Sequence, residues 1–290
     1  MATVDATATL DRQLSGLDAL ELAAPPRRRS AARLWSATWP KVLAVAFVVA
    51  TWQVLWWLEI RPRPVFPSPG EVWASFVEDF SINIEAVGTT MQRAVVGYAI
   101  ALLIGIVVGL AVARSRVLRA AIGSLVTGLQ TMPSVAWFPM ALLLFQLSEG
   151  AIYFVVVLGA APSIANGLIH GVDHIQPVLL RAGRVLGARG VREMRHVVLP
   201  AALPSLVGGL KQGWAFSWRS LMAGELFVLI PGVTGLGQRL EFERQLSDAP
   251  SLYGVMIVVL LVGLVVDGLV FAKAEHAIRR RYGLIDAAAE

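Results

Sequence analysis

The sequence contains no cysteine, so disulfide bonds and thiolate metal sites are excluded. It also carries little charge: Asp, Glu, Lys and Arg make up 16% of its 290 residues, whereas soluble proteins average about 25%. Lysine is especially scarce, since Lys41, Lys211 and Lys273 are the only three and none follows a glycine. A phosphate-binding P-loop requires Gly-Lys-Ser/Thr. We therefore expect this chain neither to hydrolyse ATP nor to bind a cofactor of its own.

Long apolar segments take the place of charge. Hydrophobic residues make up 56% of the chain and the mean hydropathy is +0.66, which is typical of a polytopic membrane protein. A helix needs about 20 apolar residues to cross the hydrocarbon core. The candidate spans are residues 42–58, 94–113, 120–147, 150–169, 201–230 and 252–272. We predict an all-α protein with six transmembrane helices.

Six spans place the connecting segments alternately on the two sides of the membrane, and arginine and lysine are unevenly divided between those sides. One side carries the N-terminal segment, the connections between spans two and three and between spans four and five, and the C-terminal end, which hold most of the basic residues. The opposite side carries Arg61, Arg63, Arg239 and Arg244. The positive-inside rule places the richer side, with both termini, in the cytoplasm of a cell whose plasma membrane the chain spans. Orientation thus accounts for the isoelectric point near 10.1, and nucleic-acid binding is not expected.

These features divide the chain into three parts. Residues 1–40 are polar and lack the apolar core of a secretory signal. We interpret them as a cytoplasmic tail, with a short amphipathic helix around residues 8–22. Residues 41–282 form the transmembrane domain, and residues 283–290 form a C-terminal tail.

Small residues and proline mark two of the spans. Gly97, Ala101, Gly105 and Gly109 recur at four-residue spacing, which predicts a face that another helix can approach closely. The third span is long enough to be tilted or broken, and it contains Pro133, which frees a backbone carbonyl within the membrane.

The connection between spans four and five holds five arginines within residues 181–195. Pro177 can begin a helix, an apolar stripe follows at three-to-four spacing, and Gly187 can end the helix in a left-handed cap. A second short amphipathic helix is predicted before Leu199-Pro200 opens the fifth span. We name residues 178–199 the arginine loop. From charge alone, it could equally be an interfacial loop that holds anionic lipid head groups.

The order of residues in the arginine loop resembles the cytoplasmic loop shared by permease subunits of binding-protein-dependent ABC importers. That pattern is Glu-Ala-Ala, three residues, Gly, nine residues, Ile, one residue and Leu-Pro. Here Arg181-Ala182-Gly183 holds the first position, with Arg181 in place of the glutamate and Gly183 in place of the second alanine. The remaining matches are Gly187, Val197 and Leu199-Pro200. The stretches PSVAWFPMALLLF (133–145) and AGELFVLIPGVTGLG (223–237) resemble the branch with aliphatic-sulfonate, taurine and nitrate permeases.

The resemblance implies a type I importer permease that alternates access as separate ATPase subunits close beneath it. Its arginine loop would be the coupling helix, and the contact residues would be Arg181, Ala182, Gly183, Arg184, Gly187, Ala188, Arg189, Leu199 and Pro200. The implied partners are two ATPases that bind ATP and Mg²⁺, a second permease copy, membrane lipid and an extracytoplasmic solute-binding protein. Residues 59–80 and 238–250 would face the binding protein, and the solute would be a small anion.

Three charged residues, Lys211, Arg219 and Glu225, interrupt the fifth span. At 100° per residue, Lys211 and Arg219 lie about 80° apart and Arg219 and Glu225 about 120° apart. Their partners must therefore come from other helices, from lipid head groups or from water. Intramembrane charges are candidates for function, and we expect Lys211 or Arg219 to face a pathway for an anion. Lys211 could instead extend to the cytoplasmic surface.

Other functional classes have weaker support in the sequence. His170 and His174 have a spacing that can bind a metal, but only Asp173 is nearby, and we predict a solvated pair at the membrane edge. A self-sufficient secondary transporter or channel remains the main alternative; such transporters commonly show inverted repeats and midplane ion sites, and the sequence has no visible repeat. A membrane enzyme would need a nucleophile–base or metal constellation, which we do not find.

Overall fold

The computed structural model describes residues 30–282, except for the side chains of residues 30–34 and 37. The amphipathic helix expected around residues 8–22 and the C-terminal tail at 283–290 lie outside this range. All regular structure between residues 30 and 282 is helical, as predicted. The α-helices are α1 (Ser30–Trp57), α2 (Pro69–Glu78), α3 (Phe80–Arg114), α4 (Arg116–Thr131), α5 (Phe138–Phe145), α6 (Glu149–Asp173), α7 (Pro177–Val185), α8 (Val191–Glu193), α9 (Leu199–Phe227), α10 (Leu236–Leu246), α11 (Ala249–Val266) and α12 (Ala272–Arg281).

The chain divides into two compact units, and the first ends at Ile60. Within it, α1 is a 28-residue helix with Pro40 in its interior. Its residues 38–57 are long and apolar enough to cross a membrane, which agrees with the first predicted span. The helix begins at Ser30, about three turns before that span, and so extends into the segment predicted to be the tail.

Helix α6 lies at the centre of the second unit. It packs against both α3 and α9, and these are the two most extensive helix contacts in the unit. The α6 side chains of Ile152, Val155, Ile164 and Leu168 are completely buried. Because lipid provides no hydrophobic driving force between helices, close fit rather than apolarity must select these contacts.

The predicted small-residue face of α3 is confirmed, and its partner is α6. A Cβ added to Gly97 would lie 2.9 Å from Val156 Cγ1, and one added to Gly105 would lie 2.8 Å from the Ala161 carbonyl oxygen. Ala101, between them, is fully buried. The two backbones therefore approach closely enough that only the smallest residues fit.

The α6–α9 contact uses glycine in the same way. A Cβ on Gly167 would lie 2.5 Å from the Gly209 Cα, and a Cβ on Gly171 would lie 2.7 Å from the Ala202 carbonyl oxygen. The backbones of α6 and α9 are therefore in close contact at two positions along the helix pair. The sequence analysis did not identify this second face, because its glycines and alanine are spread over two helices.

The third predicted span is broken in the structure. Helix α4 ends at Thr131 and a 3₁₀ helix, Ser134–Trp137, leads into α5. The two halves are bent by 109°. Pro133, at the break, has no N–H to donate to a continuous helix, so the bend has a local cause in the sequence.

Four helical segments in the described range are long and apolar enough to cross a membrane: Thr38–Trp57, Phe80–Arg114, Glu149–Asp173 and Ala249–Arg281. The bent α4–α5 pair counts as a fifth if it is one span. The remaining predicted span, the fifth (residues 201–230), coincides with α9, a 29-residue helix whose charged residues lower its hydropathy. Helix α6 ends at Asp173 and α9 begins at Leu199, on either side of the arginine loop, and we call this the arginine-loop end of the unit. The other termini of these two helices, Glu149 and Phe227, mark the opposite end.

The opposite end begins with α2, which is fixed by a capping box. Ser68 Oγ accepts from the Glu71 N–H at 3.2 Å, and Glu71 Oε2 accepts from the Ser68 N–H at 2.6 Å. The hydrogen bonds from Ser68 lower the pKa of Glu71. Helix α2 packs on α11, where Ser75 Oγ and Ser251 Oγ lie 2.8 Å apart. The segment of residues 59–80, which was predicted to face a binding protein, therefore contains a capped and packed helix.

The close α3–α6 contact makes Gly105 intolerant of a side chain. We expect Gly105→Ala to lower the stability of the purified protein by about 1–3 kcal/mol, because the methyl group would overlap backbone as well as the Ile164 side chain. The measurement is thermal unfolding in lipid nanodiscs. Gly88→Ala, on the same helix with open space around its Cα, is the matched control and should be neutral or slightly stabilising. Equal behaviour of the two variants would contradict the close packing.

Candidate functional site

The arginine loop begins as the sequence predicts. Pro177 lies in the first turn of α7, the helix ends at Val185, and Gly187, just beyond its C-cap residue Leu186, adopts φ +83°. The Gly187 N–H donates to the Arg184 carbonyl at 3.1 Å, and the Ala188 N–H donates to the Gly183 carbonyl at 2.9 Å. These two bonds form a Schellman cap, so the predicted left-handed glycine cap is confirmed.

The second half of the loop differs from the prediction of a separate short helix. After Gly190, at φ +60°, α8 passes into a π-helical turn, Met194–Val198, and this turn continues into α9. Leu199 and Pro200 lie inside this continuous helical path. The loop is therefore joined to α9 without a flexible link.

Three contacts hold the arginine loop in place. A Cβ on buried Gly183 would lie 2.7 Å from Val197 Cγ2, so glycine at this position lets α7 rest against the π-helical turn. Arg184 Nε donates to Glu193 Oε1 at 3.0 Å. The Tyr282 hydroxyl donates to the Pro200 carbonyl at 2.8 Å, which ties the end of α12 to the start of α9.

The tip of the loop exposes apolar side chains. Val185 is 88% exposed, Leu186 is 87% exposed and Val191 is 74% exposed. All five arginines of the loop and Ala182 are exposed, Ala188 is half-buried, and Gly183 is buried. An apolar tip ringed by cations is typical of a surface that contacts another protein.

The three charges of α9 do not come together. Lys211 Nζ lies 3.6 Å from Asp267 and 3.7 Å from Glu275, and these groups are partly exposed. Glu225 is completely buried. Arg219 is exposed, and its guanidinium lies 5.6 Å from the centre of the Phe216 ring. The expectation that partners come from other helices is confirmed for Lys211 and for Glu225.

Glu225 is the centre of a buried polar network. Its carboxylate accepts from Arg93 Nη1 at 2.9 Å, from the Thr90 hydroxyl at 2.9 Å and from the Gly237 N–H at 2.9 Å. Arg93 is 2% exposed, and its Nε and Nη2 donate to Glu149 at 3.0 and 2.7 Å. One arginine thus lies between two carboxylates, and a buried charge is tolerated because it is paired and hydrogen-bonded.

The network also fixes the loop that precedes α10. Thr90 Oγ1 accepts from the Leu236 N–H at 2.8 Å. A Cβ on Gly237 would lie 2.5 Å from Glu225 Cβ, and a Cβ on Gly235 would collide with the Glu225 carboxylate. Gln238 bonds the Gly235 N–H at 3.1 Å and the Val228 carbonyl at 3.0 Å. These contacts explain physically why the stretch 223–237 combines one glutamate with closely spaced glycines.

Of the residues in this network, Glu225 was predicted from the sequence, and Thr90, Arg93 and Glu149 were not. Arg93 precedes the apolar run of the second span, and Glu149 precedes that of the fourth, so both looked like ordinary boundary residues. A charge inside a span requires a counter-charge. A cation near Glu225 was therefore to be expected. Arg93 is a candidate because the helix of the second span extends back to Phe80 and so includes it.

A cavity of about 580 Å³ lies at the opposite end of the unit, and its lining includes residues of α2 and α10. Arg239 is buried there and pairs with Asp79 and with Glu243. Burial raises the pKa of the Glu243 carboxyl, and the Arg239 guanidinium opposes that shift. The predicted outward-facing segments, residues 59–80 and 238–250, both contribute to this cavity.

The two histidines with metal-binding spacing do not form a metal centre in the described part of the chain. His174 Nδ1 lies 2.8 Å from the His170 carbonyl oxygen, and Asp173 pairs with Arg119 at 2.7 Å. No group of three or more candidate ligand side chains occurs among residues 30–282.

Comparison with known proteins places these features in a family. Residues 101–274 match the model of the binding-protein-dependent transport system inner membrane component. A putative ABC transporter permease of Methanocaldococcus jannaschii is 30% identical over 193 residues, which cover 66% of this chain and 72% of the relative. The bicarbonate transport system permease of Synechococcus elongatus is 32% identical over 61% of this chain and 63% of its own length.

Two further comparisons concern the branch and the fold. A putative aliphatic sulfonates transport permease of Bacillus subtilis is 25% identical over 80% of this chain and 84% of its own length. An inward-facing structure of the MetNI methionine ABC transporter superposes with a TM-score of 0.59 at 20% identity, over 69% of this chain and 98% of that one. At this identity, the structural match shows the fold alone.

The buried network yields a test of stability. Glu225→Leu would leave Arg93 with one partly exposed carboxylate and would leave the Gly237 N–H without an acceptor. We expect a loss of about 3–5 kcal/mol, as for other broken buried ion pairs, seen as a lower unfolding temperature in nanodiscs. The control is Glu241→Gln, because Glu241 bonds Arg244 and Gln245 at the surface, where ion pairs contribute little to stability. Stability of Glu225→Leu equal to that of the control would rule out a structural role for the network.

Proposed function

Because the chain belongs to the family of binding-protein-dependent ABC importer permeases, in the branch with aliphatic-sulfonate and bicarbonate permeases, we propose that it is the membrane-spanning subunit of an ATP-driven importer for a small anion. ATP is hydrolysed by two separate ATPase subunits, which supply the nucleotide and Mg²⁺ sites. Transport follows from alternating access between two arrangements of the helices.

The observation that carries this proposal is the geometry of the arginine loop. Its apolar tip at Val185 and Leu186 is exposed, its five arginines are exposed as well, and its helical path continues into α9. A loop held by a Schellman cap and an Arg184–Glu193 pair is rigid enough to transmit displacement. Arg181, Ala182, Arg184, Ala188 and Arg189 provide the contact with the ATPase; Gly183, Gly187, Leu199 and Pro200 keep its shape.

Charge distribution supports the orientation. Arg114, Arg116 and Arg119 lie at the same end of the helices as the arginine loop, and the basic residues of α12 adjoin it through Tyr282. The positive-inside rule assigns this end, with both termini, to the cytoplasm. The opposite end, with α2, α10 and the 580 Å³ cavity, then faces the extracytoplasmic solute-binding protein.

A second copy of the chain completes the pathway. Many apolar side chains of the second unit are exposed, among them Leu103, Leu125 and Leu143, and a membrane or a second subunit must cover them. A permease homodimer with two ATPases gives the simplest symmetric assembly. The anionic class of solute is supported by the sulfonate and bicarbonate named in the relatives.

The role of the loop is tested at Gly187, where only the backbone conformation limits substitution. Valine at φ +83° costs about 1–3 kcal/mol of strain and would displace the tip, although no atom obstructs its side chain. We expect Gly187→Val to lower ATP-driven uptake severalfold while the chain remains in the membrane. Gly187→Asn is the matched variant, since asparagine tolerates this conformation, and should retain uptake. Wild-type uptake with Gly187→Val would contradict coupling through this loop.

Association with an ATPase is tested directly. The affinity-tagged chain, purified from its own membranes, should retain a protein that contains a P-loop and hydrolyses ATP. Replacing Val185 and Leu186 together by Ser should remove that protein, whereas Leu143→Ser, another exposed apolar position, should not. Solute uptake that proceeds without any ATPase would instead identify a secondary transporter or channel.

A further inference from the structure

The break between α4 and α5 borders a second cavity, of about 370 Å³. Its wall includes the backbone of residues 131–134, where the helix is interrupted, together with Gln130, Phe216 and Arg219. Irregular backbone at membrane depth is tolerated where it is buried in protein or lines a water-filled cavity. Such interrupted helices commonly mark the place where a transported solute binds.

Arg219 has no carboxylate partner within the described range of the chain, unlike the other two charges of α9. Lys211 has Asp267 and Glu275 nearby, and Glu225 has Arg93. The Arg219 guanidinium lies over the Phe216 ring instead, and this contact leaves the charge uncompensated. A cation on the wall of a membrane cavity favours an anion as the missing partner.

The rest of the wall offers neutral polar groups in fixed positions. Gln130 Nε2 donates to Ser163 Oγ at 2.8 Å, and Gln130 Oε1 accepts from Asn166 Nδ2 at 2.6 Å. The Ser220 hydroxyl is fully buried and has no hydrogen-bond partner among the described residues. It lies behind Gly159 of the wall, since a Cβ added to that glycine would lie 2.5 Å from Ser220 Oγ. Gln130 is thus held by α6, and no acidic side chain lines the cavity to repel an anion.

We propose that this cavity is a binding site, within the permease itself, for the oxyanion head group of the transported solute, with Arg219 as its charged ligand. The inference rests on the proposed function and extends it, because the permease would then select for charge after the binding protein has released the solute. A planar guanidinium can give two parallel hydrogen bonds to a sulfonate or a carbonate. The volume suits a solute of a few heavy atoms with its water.

The test uses the permease–ATPase complex in nanodiscs without the binding protein. Ethanesulfonate and bicarbonate are titrated at millimolar concentrations and heat is measured, with ethyl methyl sulfone as the neutral analogue of the sulfonate. We expect at least one anion to bind the wild type and the sulfone not to bind. Arg219→Gln should weaken anion binding by about tenfold or more, as expected for the loss of charge-assisted hydrogen bonds, and Arg219→Lys should weaken it less.

The control for loss of one positive charge is Arg116→Gln, at an exposed position at the start of α4, which should bind the anion as the wild type does. Absence of anion binding to the wild type, equal affinity in Arg219→Gln, or equal binding of the neutral sulfone would overturn the proposal. ATP hydrolysis stimulated by the binding protein is measured in the same variants. If the wild type shows none, the proposed function fails; if hydrolysis is normal but anion binding does not depend on Arg219, only the cavity assignment fails.

Discussion

The ion pair between Arg93 and Glu225 is the constraint on which the opposite end of the molecule depends. Removing a guanidinium and a carboxylate from water costs free energy, which is offset only when the two groups pair and accept or donate further hydrogen bonds. Glu149 and Thr90 supply these bonds, together with the N–H groups at the start of α10. Four segments far apart in sequence are therefore fixed at one point: the helices α3, α6 and α9, and the start of α10.

The three charged residues of α9, Lys211, Arg219 and Glu225, differ in whether a nearby group of opposite charge compensates them. Glu225 is neutralised and buried, so its role is structural. Lys211 lies near the middle of α9, is partly exposed and has two carboxylates nearby. Arg219 lies beside an interrupted helix, and no carboxylate within residues 30–282 pairs with it. The three charged residues of this one helix thus have three different surroundings. The neighbouring helices provide those surroundings and so determine the role of each residue.

Features encoded locally were predictable from the sequence, and features that depend on distant contacts were not. Pro177 and Gly187 determine the bounds of α7 through backbone geometry alone, and the four-residue spacing of Gly97 to Gly109 marks a close helix contact whatever its partner. The Arg93–Glu225 pair joins residues 132 positions apart, and no periodicity indicates it. The continuity of the arginine loop with α9 was also missed, because a π-helical turn has no sequence signature comparable to a glycine cap.

The continuous path from the arginine loop into α9 has a mechanical consequence. A 29-residue helix is about 44 Å long, and this one begins at the arginine loop and carries Glu225 near its last residue. Under the proposed function, a tilt imposed at the arginine loop would also move the start of α10, which Glu225 holds through the Gly237 N–H. The end proposed to contact the ATPase and the end proposed to face the binding protein would then move together, because one helix joins them.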